Sequence, residues 1–423
     1  MIGTDAAGVD GLPAGLQDQL LAADLVALPQ RLLPQLAQWF SLRQLHPELV
    51  SSDQPSALLE RLEAARTAQQ QIVVLASGDP LWFGIGRLLL ERFGAEGLRF
   101  HPAPSSLQLA FARIGRPWQD ASWISLHGRD PEPLAARLQQ RPPALVVLTD
   151  PQRGGADAVR RLLLASGLQA AYEVWLCERL GHPDERVQAL APEQPLPADL
   201  DPLHLVVLIA REPALPPGGA EQLPLFGIDD GLWLQHADRP GLMTKREVRI
   251  QLLAELRLPA AGVLWDIGAG VGSVGIEALR LRPDLQLWAL EQRGSGAAVI
   301  RANAERFGVA QRLATGGGVL QGRAPEALAQ LPDPDRVLIG GGGTDRAAIA
   351  EAVVGRLRPG GVVVSPLATL EALAELRPLL EAAGLRVTVG QIQAWRGAPL
   401  AEGTRLAPLN PVLLLSAQKP AAG

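Results

Sequence analysis

A glycine-rich turn flanked by two acids is the part of this sequence best suited to chemistry. The stretch VLWDIGAGVGSVGIEAL, residues 263–279, has an apolar run of strand length, a glycine turn and then a helical pattern. Asp266 precedes the turn, and Glu291 ends the next apolar run, 23 positions after Gly268. An acid at about that distance can accept both hydroxyls of a ribose. The pattern therefore predicts a site for an adenosyl ligand.

Three kinds of ligand are candidates for this turn. A nicotinamide dinucleotide favours G-x-G-x-x-G, but the third glycine comes one position early and Ser273 fills its place. A P-loop needs G-K-[ST], which the turn lacks. S-adenosylmethionine carries a sulfonium and an ammonium group instead of a phosphate, so the carboxylate of Asp266 suits it. The residues favour S-adenosylmethionine over a dinucleotide, and a turn that packs only on itself is the alternative without a ligand.

The turn after the third strand-like run of the second half, DRVLIGG (335–341), indicates the acceptor of a methyl group. It reads IGGGG, residues 339–343, and its side chains offer no amide or acid with which to activate an amine. Such a turn leaves room for a broad, flat substrate whose own carbon is the nucleophile, so that catalysis is mainly positioning. The alternative is a loop with no contact to substrate.

Apolar runs of strand length alternate with helical patterns in both halves of the chain, which predicts an α/β fold. We expect strands at 72–77, 144–149, 172–178 and 204–210, and then at 262–268, 285–291, 335–341, 361–366 and 410–416. We expect helices at 80–94, 155–167, 272–282 and 294–308. The second half should be a doubly wound sheet that binds ligands beyond the carboxyl ends of its strands. The predicted units are a domain at 1–212, a Pro/Gly-rich linker at 213–224, a domain at 225–418 and a tail at 419–423.

Length and composition limit the classes of protein to which this chain can belong. A chain of 423 residues favours two domains, and a net charge of −5 gives no overall reason to bind nucleic acid. Apolar runs stay shorter than the roughly 18 residues of a membrane span, and the first residues lack the pattern of a signal peptide. The single cysteine, Cys177, excludes an internal disulfide and a cysteine-based metal cluster, and we expect no metal site. We expect a cytoplasmic protein.

Several motifs in order resemble a known family. GLMTKREVRIQLLAELRL (241–258), WDIGAGVGS, GRAPEAL (322–328) and DPDRVLIGGGG (333–343) resemble the C-terminal domain of precorrin-6B (6Y) C5,15-methyltransferase (decarboxylating). The first half is similar to the partner domain of that fused enzyme. The stretches that carry this similarity are VVLASGDPLWFGIGRLLLERFG (73–94), FHPAPSSLQLAFARIGRPWQDASWISLHGRD (100–130), LTDPQRGG (148–155) and CERLGHPDERV (177–187).

The resemblance implies a tetrapyrrole methylase (class III) domain followed by a Rossmann-like (class I) methyltransferase domain. It implies methylation of a reduced tetrapyrrole at C5 by the first domain and at C15 by the second. The second domain would also remove carbon dioxide from the C12 acetate. The product would be precorrin-8, or its cobalt form, in cobalamin biosynthesis. The implied cofactor is S-adenosylmethionine, the implied partner is a small tetrapyrrole and not a nucleic acid or a membrane, and the chain is expected to be a homo-oligomer.

Site residues follow from the same resemblance. Thr244, Glu291, Ala324 and the run Gly268, Ala269, Gly270, Val271 and Gly272, with Asp266 before it, would bind the cofactor in the second domain. Gly78, Asp79, Ser105, Ser106 and Thr149 would do so in the first. Lys245 and Arg246 could meet carboxylates of the substrate; the alternative is a helix start, with Thr244 and Glu247 forming a capping box. His236 could move a proton, although a solvated loop histidine is the preferred interpretation.

The chain departs from the family pattern in three places. Arg323 stands where the family has an acid, and residues 314–322 are interpreted as a longer surface loop. The opening MIGTDAAG has Asp5 where the family has the middle glycine of its first turn, with almost no leading strand. Either the true start lies upstream or the first strand is short. A short strand is tolerated at the edge of a sheet, whereas at its centre it should destabilise the domain.

Four other functions remain as alternatives. The first is activity of the C-terminal domain alone, beside a degenerate first domain. The second is an RNA or protein methyltransferase, which would need a basic face or an amine-activating turn. The others are a dinucleotide-dependent dehydrogenase and a scaffold whose first half has lost its site.

Overall fold

The computed structural model describes residues 1–5, 8–82, 84–127, 132–341, 343–400 and 403–422. Parts of five features of the sequence analysis lie outside the described residues. They are Ala6 and Ala7 in the opening motif, Phe83 in the predicted helix 80–94, the last residues of the motif at 100–130, Gly342 in the predicted acceptor loop and Gly423 in the predicted tail.

The first half alternates strands and helices. Its strands are β1 (Ile2–Thr4), β2 (Leu25–Leu28), β3 (Glu48–Ser51), β4 (Ile72–Ser77), β5 (Ala121–Ser125), β6 (Ala144–Leu148), β7 (Tyr172–Glu178), β8 (Arg186–Leu190) and β9 (His204–Ala210). Its helices are α1 (Ala14–Leu21), α2 (Leu33–Ser41), α3 (Pro55–Thr67), α4 (Ile85–Phe93), α5 (Ser106–Ile114), α6 (Glu132–Gln139) and α7 (Gly155–Ala165).

The second half repeats the alternation. Its strands are β10 (Ala261–Ile267), β11 (Asp284–Glu291), β12 (Gly318–Gln321), β13 (Arg336–Ile339), β14 (Val362–Leu367), β15 (Arg386–Ile392), β16 (Trp395–Leu400), β17 (Gly403–Pro408) and β18 (Val412–Gln418). Its helices are α8 (Arg246–Glu255), α9 (Ser273–Leu281), α10 (Gly296–Arg306), α11 (Ala310–Gly316), α12 (Arg346–Arg356) and α13 (Leu370–Ala382). The predicted α/β fold is confirmed, and each strand predicted from the sequence is present with small shifts at its ends.

Two sheets organise the first half. A parallel sheet has the order β1-β4-β2-β3, and a mixed sheet has the order β5-β6-β9-β7-β8. Strand β1 lies at an edge, where Ile2 pairs with Leu75 and also bridges to His101. A short β1 therefore costs this sheet one edge pairing and leaves its central strands intact.

The second half is built on a doubly wound sheet of order β12-β11-β10-β13-β14-β18-β15, as predicted. Its strands run parallel except β18, which pairs antiparallel with both β14 and β15. The order reverses between β10 and β13, so a crevice forms beyond their carboxyl ends. The glycine turn follows β10, Glu291 ends β11, and the loop that begins at Gly340 follows β13, so all three meet at this edge.

The prediction of a surface loop at 314–322 is wrong. This stretch ends α11 and forms β12, which pairs with β11 through Gly318 opposite Trp288. Its glycines serve close packing, because a Cβ added to Gly317 would lie 1.9 Å from the carbonyl oxygen of Leu287. A glycine run that looks like a loop in the sequence is here the approach to an edge strand.

A buried ion pair ties α8 to α9. Arg249 and Glu277 are both 0% exposed, and Arg249 Nε donates to Glu277 Oε1 over 2.8 Å. The carboxylate also accepts the backbone N–H groups of Gly227 and Ile228, and Arg249 Nη1 donates to Asp230 Oδ1. These contacts fix the segment that precedes α8.

Among the described residues, no helix has the length and apolar character needed to cross a membrane.

We expect Arg249→Met to lower the free energy of unfolding by about 3–5 kcal/mol, because it leaves the Glu277 carboxylate buried without its cation. Urea unfolding followed by tryptophan fluorescence measures this, with Arg301→Met, on the exposed side of α10, as the control. The double variant Arg249→Met/Glu277→Gln should recover part of the loss. A loss below about 1 kcal/mol in the single variant would contradict the structural role of the pair.

Candidate active sites

The glycine turn after β10 adopts a backbone that side chains disfavour. Gly268, Gly270 and Gly272 have φ of 72°, 59° and 80°, in the left-handed region. A Cβ on Gly268 would also lie 3.1 Å from the nitrogen of Gly341, so this turn and the loop after β13 pack closely. Gly270 has open space where its Cβ would be, which leaves room for a ligand against the backbone.

Glu291 closes the turn from the neighbouring strand. Its Oε2 accepts the N–H of Gly270 over 2.8 Å, and its Oε1 accepts the N–H of Arg293 over 3.0 Å. Each carboxylate oxygen keeps a lone pair that can accept from a ligand hydroxyl. The acid predicted from its distance to the turn therefore lies in hydrogen-bonding contact with the turn.

Asp266 lies behind the turn. Its side chain is fully buried and its Oδ2 accepts the N–H of Gly275 over 3.2 Å. Burial, with a smaller contribution from the charge of Glu291, raises the pKa of Asp266 to about 7. This carboxyl supports the start of α9 and sets the electrostatics beneath the turn.

A cavity of about 690 Å³ opens at this edge of the sheet, and we call it the glycine-turn pocket. Nine of the residues predicted for the site line it, namely His236, Thr244, Lys245, Gly268, Ala269, Gly270, Val271, Glu291 and Ala324. Gly272 and Asp266 stand behind this lining and shape the turn. Gly340 and Gly341, from the predicted acceptor loop, also line it.

One wall of the pocket is a segment of the second half, residues 234–245, which contacts Gln139 of the first half and which we call the strap. His236 of the strap is only 1% exposed, so the preferred prediction of a solvated histidine is wrong. Its Nδ1 lies 3.2 Å from Ser295 Oγ, while its Nε2 has no hydrogen-bond partner among the described residues. Packing of the strap against the start of α10 buries this ring.

The start of α8 differs from the predicted capping box. Lys245, not Thr244, is the N-cap, and no side chain caps it. Glu247, the expected partner, binds Arg396 through both carboxylate oxygens at 2.8 Å. An ion pair with a residue far along the chain thus replaces the local cap.

Lys245 and Arg246 point in different directions. Lys245 lines the pocket and its Nζ donates to Gly241 O over 3.1 Å; burial holds its pKa below the usual range of a lysine. Arg246 donates from Nε to Gly227 O over 2.6 Å and lies 3.8 Å from Asp229. The structure therefore brings Lys245, and not Arg246, to the other predicted site residues.

Arg323, the departure from the family's acid, has its own partner. Its Nε donates to Asp345 Oδ2 over 3.0 Å on the rim of the pocket. Ala324 beside it still lines the cavity, so its backbone remains available to a ligand.

A second cavity, of about 1020 Å³, lies in the first half, and we call it the first-half pocket. Gly78, Ser105, Ser106 and Thr149 line it, as expected from the order of the motifs. Ser105 caps α5 in a capping box with Gln108, and Thr149 Oγ1 donates to His204 O over 2.7 Å. Asp79 instead shapes its own turn, because its Oδ1 accepts the N–H of Leu81 over 2.8 Å.

Asp5 also lines the first-half pocket. A Cβ on Gly181 would lie 2.7 Å from the Asp5 side chain, so the acid fills space beside the turn after β7. The Asp5 side chain is accommodated because Gly181, next to it, has no side chain.

Sequence reasoning missed several residues that build these pockets. Arg31 enters the first-half pocket and donates to Ser77 Oγ over 2.8 Å. Gln139, from the first half, lines the glycine-turn pocket, as do residues at the base of the β16–β17 hairpin. These positions belong to none of the quoted motifs, and only the folded chain brings them to the pockets.

Asp266→Asn should stabilise the protein without ligand at pH 8 and have much less effect at pH 5. Between the ordinary pKa of an aspartate, about 3.9, and its value of about 7 here, the folded state holds a proton that the unfolded state releases. Stability therefore falls as pH rises through this window. The amide keeps an acceptor for Gly275 and removes the ionisation.

We expect a gain on the order of 2–4 kcal/mol at pH 8 from the pKa difference. Urea unfolding at both pH values measures it, with Asp284→Asn, at the exposed start of β11, as the control. An equal change at both pH values would contradict a raised pKa at Asp266.

Comparisons with known proteins match both halves of the chain. A family model for tetrapyrrole (corrin/porphyrin) methylases matches residues 1–193, and a model for a precorrin methyltransferase domain matches residues 236–419. The chain therefore contains two methyltransferase domains in series, and the predicted fold class is confirmed.

Three relatives extend this result. The precorrin-6Y C(5,15)-methyltransferase [decarboxylating] of Sinorhizobium sp is 36% identical over 343 residues, which are 81% of this chain and 78% of that protein. The protein of the same name from Mycobacterium tuberculosis H37Rv is 28% identical over 99% of both chains. A probable cobalt-precorrin-6B C(15)-methyltransferase (decarboxylating) of Pyrobaculum calidifontis is 39% identical over 45% of this chain and 95% of its own. With both domains matched and a relative of this identity and coverage, the chain belongs to the precorrin-6Y C5,15-methyltransferase (decarboxylating) family.

Proposed function

We propose that this enzyme methylates a corrin precursor of the precorrin-6B type at C5 and C15 and removes the carboxyl group of its C12 acetate as carbon dioxide. The product is precorrin-8 or its cobalt form, within cobalamin biosynthesis. The observation that carries the proposal is the presence of two pockets on one chain, each in a half matched by a methyltransferase family model. Two methyl additions then need no second enzyme.

The glycine-turn pocket fits S-adenosylmethionine. Gly270 leaves space where a Cβ would stand, and Glu291 offers carboxylate oxygens to a ribose. Thr244 and the backbone of Ala324 lie on the same lining and complete the contacts expected of an adenosyl ligand. When bound, this cofactor supplies an electrophilic methyl group.

The acceptor side of this pocket suits a flat ring that carries carboxylates. Gly340 and Gly341 present backbone alone, so a macrocycle can approach closely. Lys245 uses one of its three donors on Gly241 O, which leaves two for a carboxylate of the substrate. The meso carbon is itself the nucleophile, so the residues need to position it and not to deprotonate it first.

Loss of carbon dioxide from the acetate needs a proton. When the C–C bond breaks, its electron pair moves into the ring system. The former methylene carbon then takes up a proton and becomes a methyl group. Methylation at C15 releases one proton, so the two steps together consume none. Lys245 and the strap residue His236 are the groups we propose for moving this proton. Arg246 lies outside this set, because its guanidinium faces Gly227 and Asp229.

The first-half pocket is the proposed site of C5 methylation. Gly78 has a φ of 65° and packs its backbone beside Ser105, which forms a narrow turn for the second S-adenosylmethionine. Ser106 and Thr149 add hydroxyl groups to the same lining, while Asp79 holds the turn in shape.

We propose the domain boundaries 1–212 and 225–418 as well, together with a homo-oligomeric state in the cytoplasm. The alternative, activity of the C-terminal domain alone, is less favoured. The two long relatives carry names that include both positions, and the short strand β1, which ends just before Asp5, occupies a sheet edge.

The mass of the product tests the function. Purified protein incubated with precorrin-6B and S-adenosylmethionine should add two methyl groups and remove one carbon dioxide. Gly270→Val should abolish C15 methylation and decarboxylation and keep C5 methylation, because its side chain enters the space open to the cofactor. The matched variant Gly78→Val should do the reverse.

An unchanged mass with both the metal-free substrate and its cobalt form would contradict the proposal. Loss of both activities in each variant, with unaltered melting temperatures, would contradict the division of labour between the pockets.

A further inference from the structure

We infer that the first domain positions two walls of the glycine-turn pocket, so that Arg141 is a positioning residue for the reaction of the second domain. This inference rests on the proposed function. Two structural features support it, one at the strap and one at the β16–β17 hairpin. In both, an element that lines the second pocket is anchored in the first domain.

Arg141 anchors the chain just ahead of the strap. It follows α6 in the first domain, it is only 8% exposed, and its own φ is 52°. Its Nη1 lies 3.3 Å from both Asp230 O and Trp233 O, and its Nη2 lies 3.4 Å from Gly231 O. One guanidinium thus satisfies three carbonyl groups of a segment that leads directly into the strap at residue 234.

A second residue of the first domain, close to Arg141 in the sequence, contacts the strap directly. Gln139 lines the glycine-turn pocket, and a Cβ on Gly241 would lie 2.2 Å from the Gln139 carbonyl oxygen. Gly241 O accepts from Lys245 Nζ, and Gly241 N–H donates to Gln235 Oε1 over 3.2 Å. The backbone that holds the Lys245 ammonium is therefore set by contact with the first domain.

The hairpin forms the second anchored wall. Its base lines the pocket through residues that include Ala394 and Leu409, whose backbones are joined by a 2.8 Å hydrogen bond. Further along, Ala398 and Ala407 are buried in the same apolar cluster as Val159 of α7. The hairpin therefore extends from the pocket of the second domain into the core of the first.

Arg396, in the hairpin, contacts the residues on either side of the strap. Its Nη1 donates to Ser166 O at the end of α7 over 3.1 Å, its Nη2 lies 3.1 Å from Asp230 Oδ2, and its guanidinium also binds Glu247 of α8. A shift of the first domain would therefore move the hairpin, the strap and the start of α8 together. Lys245 lies at the meeting point of these three elements.

Arg141→Met should lower kcat/KM for C15 methylation and decarboxylation about tenfold, the cost of roughly one lost hydrogen-bonded contact. The C5 methylation of the same molecule should be little changed. The product distribution after incubation with precorrin-6B and S-adenosylmethionine measures both, since species with one added methyl and an intact acetate should accumulate. The loss should appear both in KM for the tetrapyrrole and in kcat, because the displaced Lys245 is proposed to bind a substrate carboxylate and to move the proton.

The controls separate positioning from folding. Arg137→Met removes the same charge from the exposed side of α6 and should match the unaltered protein, since its contact is with Gln140. Arg141→Lys should recover part of the activity by donating to some of the carbonyl groups. An unaltered protein that modifies neither substrate form would contradict the proposed function. A normal product ratio in Arg141→Met, or an equal loss of both methylations, would contradict the positioning role.

Discussion

Asp230 is the buried charge on which the arrangement of the two halves depends. Its Oδ1 binds Arg249 of α8, its Oδ2 binds Arg396 of the hairpin, and its backbone oxygen binds Arg141 of the first domain. A buried carboxylate is costly unless it is paired, so the guanidinium groups of Arg249 and Arg396 must stay in place, while Arg141 holds the backbone of the same residue. Their positions fix the segment 227–233, and that segment fixes the strap that lines the glycine-turn pocket.

The glycine-turn pocket offers a ligand more backbone than functional side chains. Left-handed glycines at the turn and the small residues after β13 leave a wide pocket with few functional groups. That composition suits a substrate whose carbon is already nucleophilic, because the protein's task is then to hold two reactants in register. Glu291 and Lys245 in the lining, and the buried Asp266 behind it, are each held by a backbone contact.

Local patterns in the sequence predicted much of the fold and the centre of each pocket. Alternating apolar runs located β10 and β11, and the spacing from Gly268 to Glu291 identified a contact that the structure contains. The failures are contacts between distant residues. Glu247 pairs with Arg396, 149 positions away, instead of forming a local cap, and burial of His236 depends on the start of α10. The glycines before β12 were interpreted as a loop because their function, close approach to Leu287, is visible only in three dimensions.

In the proposed function, one chain carries two separate cofactor sites. Calorimetric titration of the full-length protein with S-adenosylhomocysteine tests it most directly, because it counts sites without needing the tetrapyrrole. The structure predicts two sites per chain in the unaltered protein. A single site per chain, or none, would contradict the account.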